Sequence, residues 1–61
     1  MDRLMTVAEV ADYLGVPVAT LYRWRTHQDG PRGIRVGRYV RYRRADLDSW
    51  LDRRADPAPA A

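Results

Sequence analysis

The chain has no cysteine and no lysine, and only one histidine, one glutamate and one serine among its 61 residues. Without cysteine no disulfide can form, and His27 with scattered carboxylates is a poor start for a metal site. Neither staple of small domains is to hand. A chain this short buries only about 60% of its unfolded surface, so small apolar clusters on three or so short elements must hold it. Ser49 lies in an amphipathic stretch far in sequence from His27, and no glycine-rich phosphate loop is present. A nucleophile-and-base site therefore lacks its parts. The expectation is a protein that is not an enzyme, with no catalytic residue, cofactor, metal or small-molecule ligand. No charged-then-apolar leader opens the chain and no apolar run approaches ~20 residues, which points to a soluble, cytoplasmic protein with no membrane partner.

What the chain does have is arginine. Eleven arginines face eight acids, and their distribution is uneven. Residues 17–44 carry eight arginines against Asp29 alone, whereas the segments on either side are mildly acidic. A one-sided excess this dense favours polyanion binding over a merely solubilising surface.

The apolar pattern gives the elements. Thr6 and Glu9 form a capping box for a first helix over 7–14, whose stripe is Val7, Val10, Ala11 and Leu14. Gly15 follows the stripe and can take the left-handed conformation that ends a helix. Pro17 suits the start of a second helix over 18–27, which Asp29-Gly30-Pro31 stops. Leu21 and Trp24 share one face of it, while Ala19, Tyr22, Arg23 and Thr26 lie opposite.

A hairpin follows, Ile34-Arg35-Val36 and Val40-Arg41-Tyr42, joined at Gly37-Arg38-Tyr39. Two registers are open. A two-residue turn opposes Val36 with Tyr39 and Ile34 with Arg41. A three-residue turn opposes Val36 with Val40 and Ile34 with Tyr42, and places Arg35 and Arg41 together on the other face. The second separates apolar from charged side chains and is preferred. A third helix over 43–54 closes the domain with Leu47, Trp50 and Leu51 as its stripe, Asp46 and Asp48 near its start, and Arg53 and Arg54 at its end. Residues 55–61 offer nothing to bury and read as a disordered tail.

Three short helices and a two-stranded wing define a winged helix-turn-helix domain over 1–54. Such a domain lays its second helix in the major groove. The candidate contacts to double-stranded DNA are Val18, Ala19, Thr20, Tyr22, Arg23 and Thr26 in that helix, with Arg23 able to grip guanine bidentately. Around the hairpin they are Arg35, Arg38, Arg41 and Arg43, with Arg38 at a tip suited to a narrow minor groove. Helical spacing assigns Trp24 and Trp50 to the core and not to base stacking.

The run Thr6-Val7-Ala8-Glu9-Val10-Ala11-Asp12-Tyr13-Leu14-Gly15-Val16, with Thr20-Leu21-Tyr22-Arg23-Trp24, resembles the opening of the excisionase family. Ile34-Arg35-Val36-Gly37-Arg38, Val40-Arg41-Tyr42, Asp46-Leu47 and Trp50-Leu51 extend the likeness from about residue 4 to residue 54. That family is similar to the DNA-binding domain of MerR-type regulators. The resemblance implies a recombination directionality factor that binds and bends attachment-site DNA, often in head-to-tail arrays, and helps a site-specific integrase to excise. It carries base contact to Ala19, Tyr22 and Arg23, wing contact to Arg38 and backbone contact to Arg41. Pro17 stands where the family often has a serine N-cap, so a capping hydrogen bond is lost. The long dimerisation helix and ligand domain of MerR regulators are missing from the sequence. A small transcription regulator on the same scaffold is the alternative, and a monomer in free solution is expected.

Overall fold

Thr6 is where the chain first commits to a fold, because its side chain and Glu9 satisfy each other's backbone N–H groups. Glu9 N donates to Thr6 Oγ1 at 3.0 Å, and Thr6 N donates to Glu9 Oε1 at 2.8 Å. In a computed structural model, which describes residues 3–55, this box opens the first helix. The order is β1 (Met5–Thr6), α1 (Val7–Leu14), α2 (Val18–Thr26), β2 (Gly33–Val36), β3 (Tyr39–Tyr42) and α3 (Arg44–Arg54). The expected tail lies, beyond Ala55, outside the described residues.

Both helices of the helix-turn-helix end in the same way. Gly15 takes φ +72°, and its N–H and that of Val16 reach back to the carbonyls of Asp12 and Ala11. This paired closure satisfies carbonyls that a helix end would otherwise orphan. At the end of α2, Gln28 N donates to Arg25 O at 3.2 Å and Asp29 N to Trp24 O at 2.7 Å. Gln28 itself adopts φ +55°, a left-handed conformation that costs a side-chain-bearing residue roughly 1–2 kcal/mol. Helix α2 therefore stops at Thr26, one residue before the end expected from sequence, with His27 as its cap. Pro17 supplies no side-chain cap, as expected, and only its carbonyl joins the first turn, accepting from Thr20 N at 3.0 Å.

The core is built from every layer: Val7, Val10 and Ala11 of α1, Leu21 of α2, Tyr42 of β3 and Leu47 of α3 are buried. Met5, Leu14, Val16, Trp24, Val40, Trp50 and Leu51 pack around them, half-buried. Trp24 and Trp50 meet at 5.5 Å between ring centroids, tilted by 48°, and join α2 to α3 on the rim of this core.

The hairpin departs from the preferred register. Val36 pairs with Tyr39, Arg35 with Val40, Ile34 with Arg41 and Gly33 with Tyr42. The turn is thus two residues long, with Gly37 at φ +62° in its first position, the arrangement whose twist matches that of the flanking strands. Turn chemistry outweighs the separation of apolar from charged faces. As a result Val36 is 46% and Tyr39 57% exposed, and only Val40 and Tyr42 of β3 turn to the core with Gly33 and Arg35 of β2 beside them. Arg35 and Arg41 fall on opposite faces of the sheet, not on one as the three-residue turn required.

The sheet has three strands where two were expected. Met5 pairs with Tyr42 and Thr6 with Arg41, so the order is β1-β3-β2 with β3 central and all neighbours antiparallel. Two residues are too few for alternation to reveal a strand.

Candidate nucleic-acid interface

Helix α2 presents one long exposed face because its apolar stripe is so narrow. Leu21 is buried and Trp24 half-buried, whereas Val18, Ala19, Tyr22, Arg23 and Thr26 are exposed and Thr20 is half-buried. The first turn contains no acidic residue, so the positive end of the helix dipole is left open to an anion. Tyr22 is 52% exposed, with its ring free to lie along a neighbouring surface. Thr26 Oγ1 donates to Tyr22 O at 3.1 Å, so its hydroxyl proton is used within the helix.

The wing arranges its arginines differently from one another. Arg38 sits at the two-residue tip and is exposed. Arg35 is exposed on the sheet face shared with Val40 and Tyr42, and its Nε lies 3.4 Å from the Gly37 carbonyl. Arg41 is half-buried on the opposite face: Nη1 donates to Val40 O at 2.9 Å and the guanidinium rests 5.1 Å from the Tyr39 ring centroid. Arg43 is exposed and serves as the N-cap residue of α3 without a side-chain capping bond. The ten candidate contacts therefore split into an exposed α2 face, a wing tip with Arg35 beside it, and two arginines at the base of β3.

The charge on this surface is largely unneutralised. Among the described residues the ion pairs are Arg3–Glu9 at 3.9 Å and Arg44–Asp48 at 3.3 Å. Arg23, Arg35, Arg38, Arg41 and Arg43 belong to neither. Arg44 is engaged by the protein's own surface: besides Asp48, it donates to the Tyr13 hydroxyl at 3.3 Å and lies 4.7 Å from that ring's centroid. The Glu9 carboxyl is held below its ordinary pKa, first by the Thr6 backbone N–H and side chain and then by the nearby charges of Arg3 and Arg41.

Arg25 and Gly33 went unremarked in the sequence. Arg25 lies on α2 but is half-buried, and its guanidinium lies against Gly33. No periodicity signals this, since an arginine in the last turn of a helix reads as solvated. Among the described residues no group of three or more His, Cys, Asp or Glu side chains is placed to hold a metal ion. No helix is long and apolar enough to cross a membrane.

Two helices joined by Gly15-Val16-Pro17, a hairpin whose strand β3 packs against the first of them and a closing helix define a winged helix-turn-helix, a DNA-binding architecture. The chain belongs to the helix-turn-helix domain family, whose sequence model matches residues 4–55. That family includes excisionase-like small DNA-binding proteins. No curated protein and no solved structure matches the chain.

Proposed function

We propose that the protein binds specific double-stranded DNA and acts as an excisionase, assisting a site-specific integrase to excise. The observation that carries DNA binding is the pairing of an exposed, acid-free α2 face with an arginine-tipped wing on a helix-turn-helix chain. Ala19, Tyr22 and Arg23 read bases from the major groove, supported by Val18, Thr20 and Thr26 at the backbone. Arg38 enters the adjacent minor groove, and Arg35, Arg41 and Arg43 hold phosphates on either side. The wing and helix together bend the site, and further copies add head-to-tail along it. The protein works in the cytoplasm, at the nucleoid.

The excisionase role rests on the sequence likeness described above, which runs through both the helix-turn-helix and the wing. The test is recombination of an attachment-site plasmid by the integrase with and without this protein. Excision that depends on the protein supports the role. DNA binding with no effect on excision, but with altered transcription from a neighbouring promoter, assigns the protein instead to small MerR-like regulators.

A further inference from the structure

Gly33 is a glycine that its backbone does not require. The left-handed glycines are Gly15, Gly30 and Gly37, and Gly33 is not among them. What it provides is space. A Cβ at position 33 would fall on Nη1 of Arg25, with Val40 Cγ1 at 3.3 Å and Tyr42 Cε2 at 3.4 Å on its other sides. Gly33 pairs with Tyr42 across the sheet, so the bare backbone forms a shallow seat between β2 and the Tyr42 ring. The Arg25 guanidinium occupies it. Here the last turn of α2 sets a long side chain against the hairpin, and Arg25 is half-buried where Arg23 is exposed.

Guanidinium suits this seat because it is planar and weakly hydrated, so it can lie flat on backbone without a carboxylate partner. Burial pushes the Tyr42 phenol above its ordinary pKa, while the nearby positive charge of Arg25 pulls the other way, which agrees with a guanidinium held beside the ring.

We propose that Arg25 is a positioning residue: seated on Gly33 beside Tyr42, it fixes the recognition helix relative to the wing and thereby sets sequence specificity. The proposal rests on the reading of α2 and the wing as the two DNA-contacting elements. Arg25 then acts through Arg23 and Arg38, and contacts no phosphate itself.

Two substitutions test it by opposite routes. Arg25→Met removes the guanidinium, and Gly33→Ala evicts it while leaving every charge in place. The probes are a duplex selected from a random pool by the wild-type protein, and a random-sequence duplex of equal length. Circular dichroism at the assay temperature establishes that each variant is folded. Either substitution is expected to weaken binding to the selected duplex roughly tenfold, within the range for coupled neighbours, with binding to random duplex changed far less. The salt dependence should keep its wild-type slope, and Gly33→Ala should add almost nothing in the Arg25→Met background.

A slope reduced by about one in Arg25→Met would make Arg25 a phosphate contact and overturn the proposal. Equal losses on both duplexes, or fully additive effects of the two substitutions, would overturn it as well. Wild-type protein that selects no duplex and binds random DNA without salt dependence removes the DNA reading itself, and the proposal falls with it. That result is distinct from any variant's.

Discussion

Gly30 lies directly under the indole of Trp24: a Cβ at position 30 would stand 2.7 Å from Trp24 Cε3 and 3.0 Å from Trp24 Cβ. Gly30 also has φ +76°, so a side chain there meets both strain and a rigid neighbour. Gly30→Ala is expected to cost about 2–4 kcal/mol, the sum of a left-handed penalty and an overpacked contact. A 61-residue domain has roughly 3–9 kcal/mol in all. The thermal midpoint should fall by roughly 10–25 °C. A midpoint within a few degrees of wild type would mean that the 29–31 loop does not press on Trp24.

The two helix ends offer a matched pair. Gln28 holds at α2 the left-handed position that Gly15 holds at α1. Gln28→Gly should stabilise by about 0.5–1 kcal/mol, because the relief of strain exceeds the entropy added to the unfolded chain. Gly15→Ala, with open space around it, should destabilise by about 1 kcal/mol through φ alone. Denaturant midpoints moving in opposite directions confirm the pair. Movement in the same direction contradicts it.

Acid should loosen α1 before the rest. The folded Glu9 pKa is depressed, so its capping box contributes stability above the unfolded value of about 4.3 and loses it as pH falls through the folded one. Glu9→Gln keeps a side-chain acceptor but cannot titrate. The stability difference between wild type and Glu9→Gln should therefore be largest near neutrality and shrink on acidification through the glutamate range. A difference independent of pH would show that the Glu9 charge contributes nothing to the cap.

Salt measures how many arginines meet phosphate. About 4–6 contacts give a log–log slope of roughly −4 to −5 for duplex binding. Arg38→Ala should reduce the steepness by about one if the wing tip lies on DNA. Arg23→Ala should leave the thermal melt nearly unchanged, since the side chain is exposed, yet abolish preference between duplex sequences. Loss of affinity from Arg23→Ala that is equal on every sequence would place Arg23 on the backbone and not on a base.

The helices were legible because their signals are local. Thr6 with Glu9 set one start, Gly15 one end, and Leu47, Trp50 and Leu51 marked the face of α3 that turns inward. The wing was harder, since two local signals disagreed there. Face alternation asked for Val36 opposite Val40, whereas Gly37 favoured a two-residue turn, and the turn prevailed. Strand β1 was invisible because Met5 and Thr6 pair only with residues 37 and 35 positions away. The Arg25–Gly33 seat was hidden for a related reason: an arginine earns its place there by shape, and hydropathy patterns do not register shape. The candidate contacts on α2 followed from the narrow stripe of Leu21 and Trp24, but the separation of Arg35 from Arg41 needed the register.

The Met5–Tyr42 pairing has a consequence for how the molecule comes together. It ties the start of the helix-turn-helix to the last residue of the wing, closing a loop that contains α1, α2 and β2. Such closure is the slow, entropically uphill part of folding, because the ends must meet before the long-range contacts form. Strand β1 thus acts as a clasp. Until it engages, the wing is a lone two-stranded hairpin, which is marginal in water. Once it engages, β3 is paired along both edges, and the hairpin is tied to the chain that leads into α1.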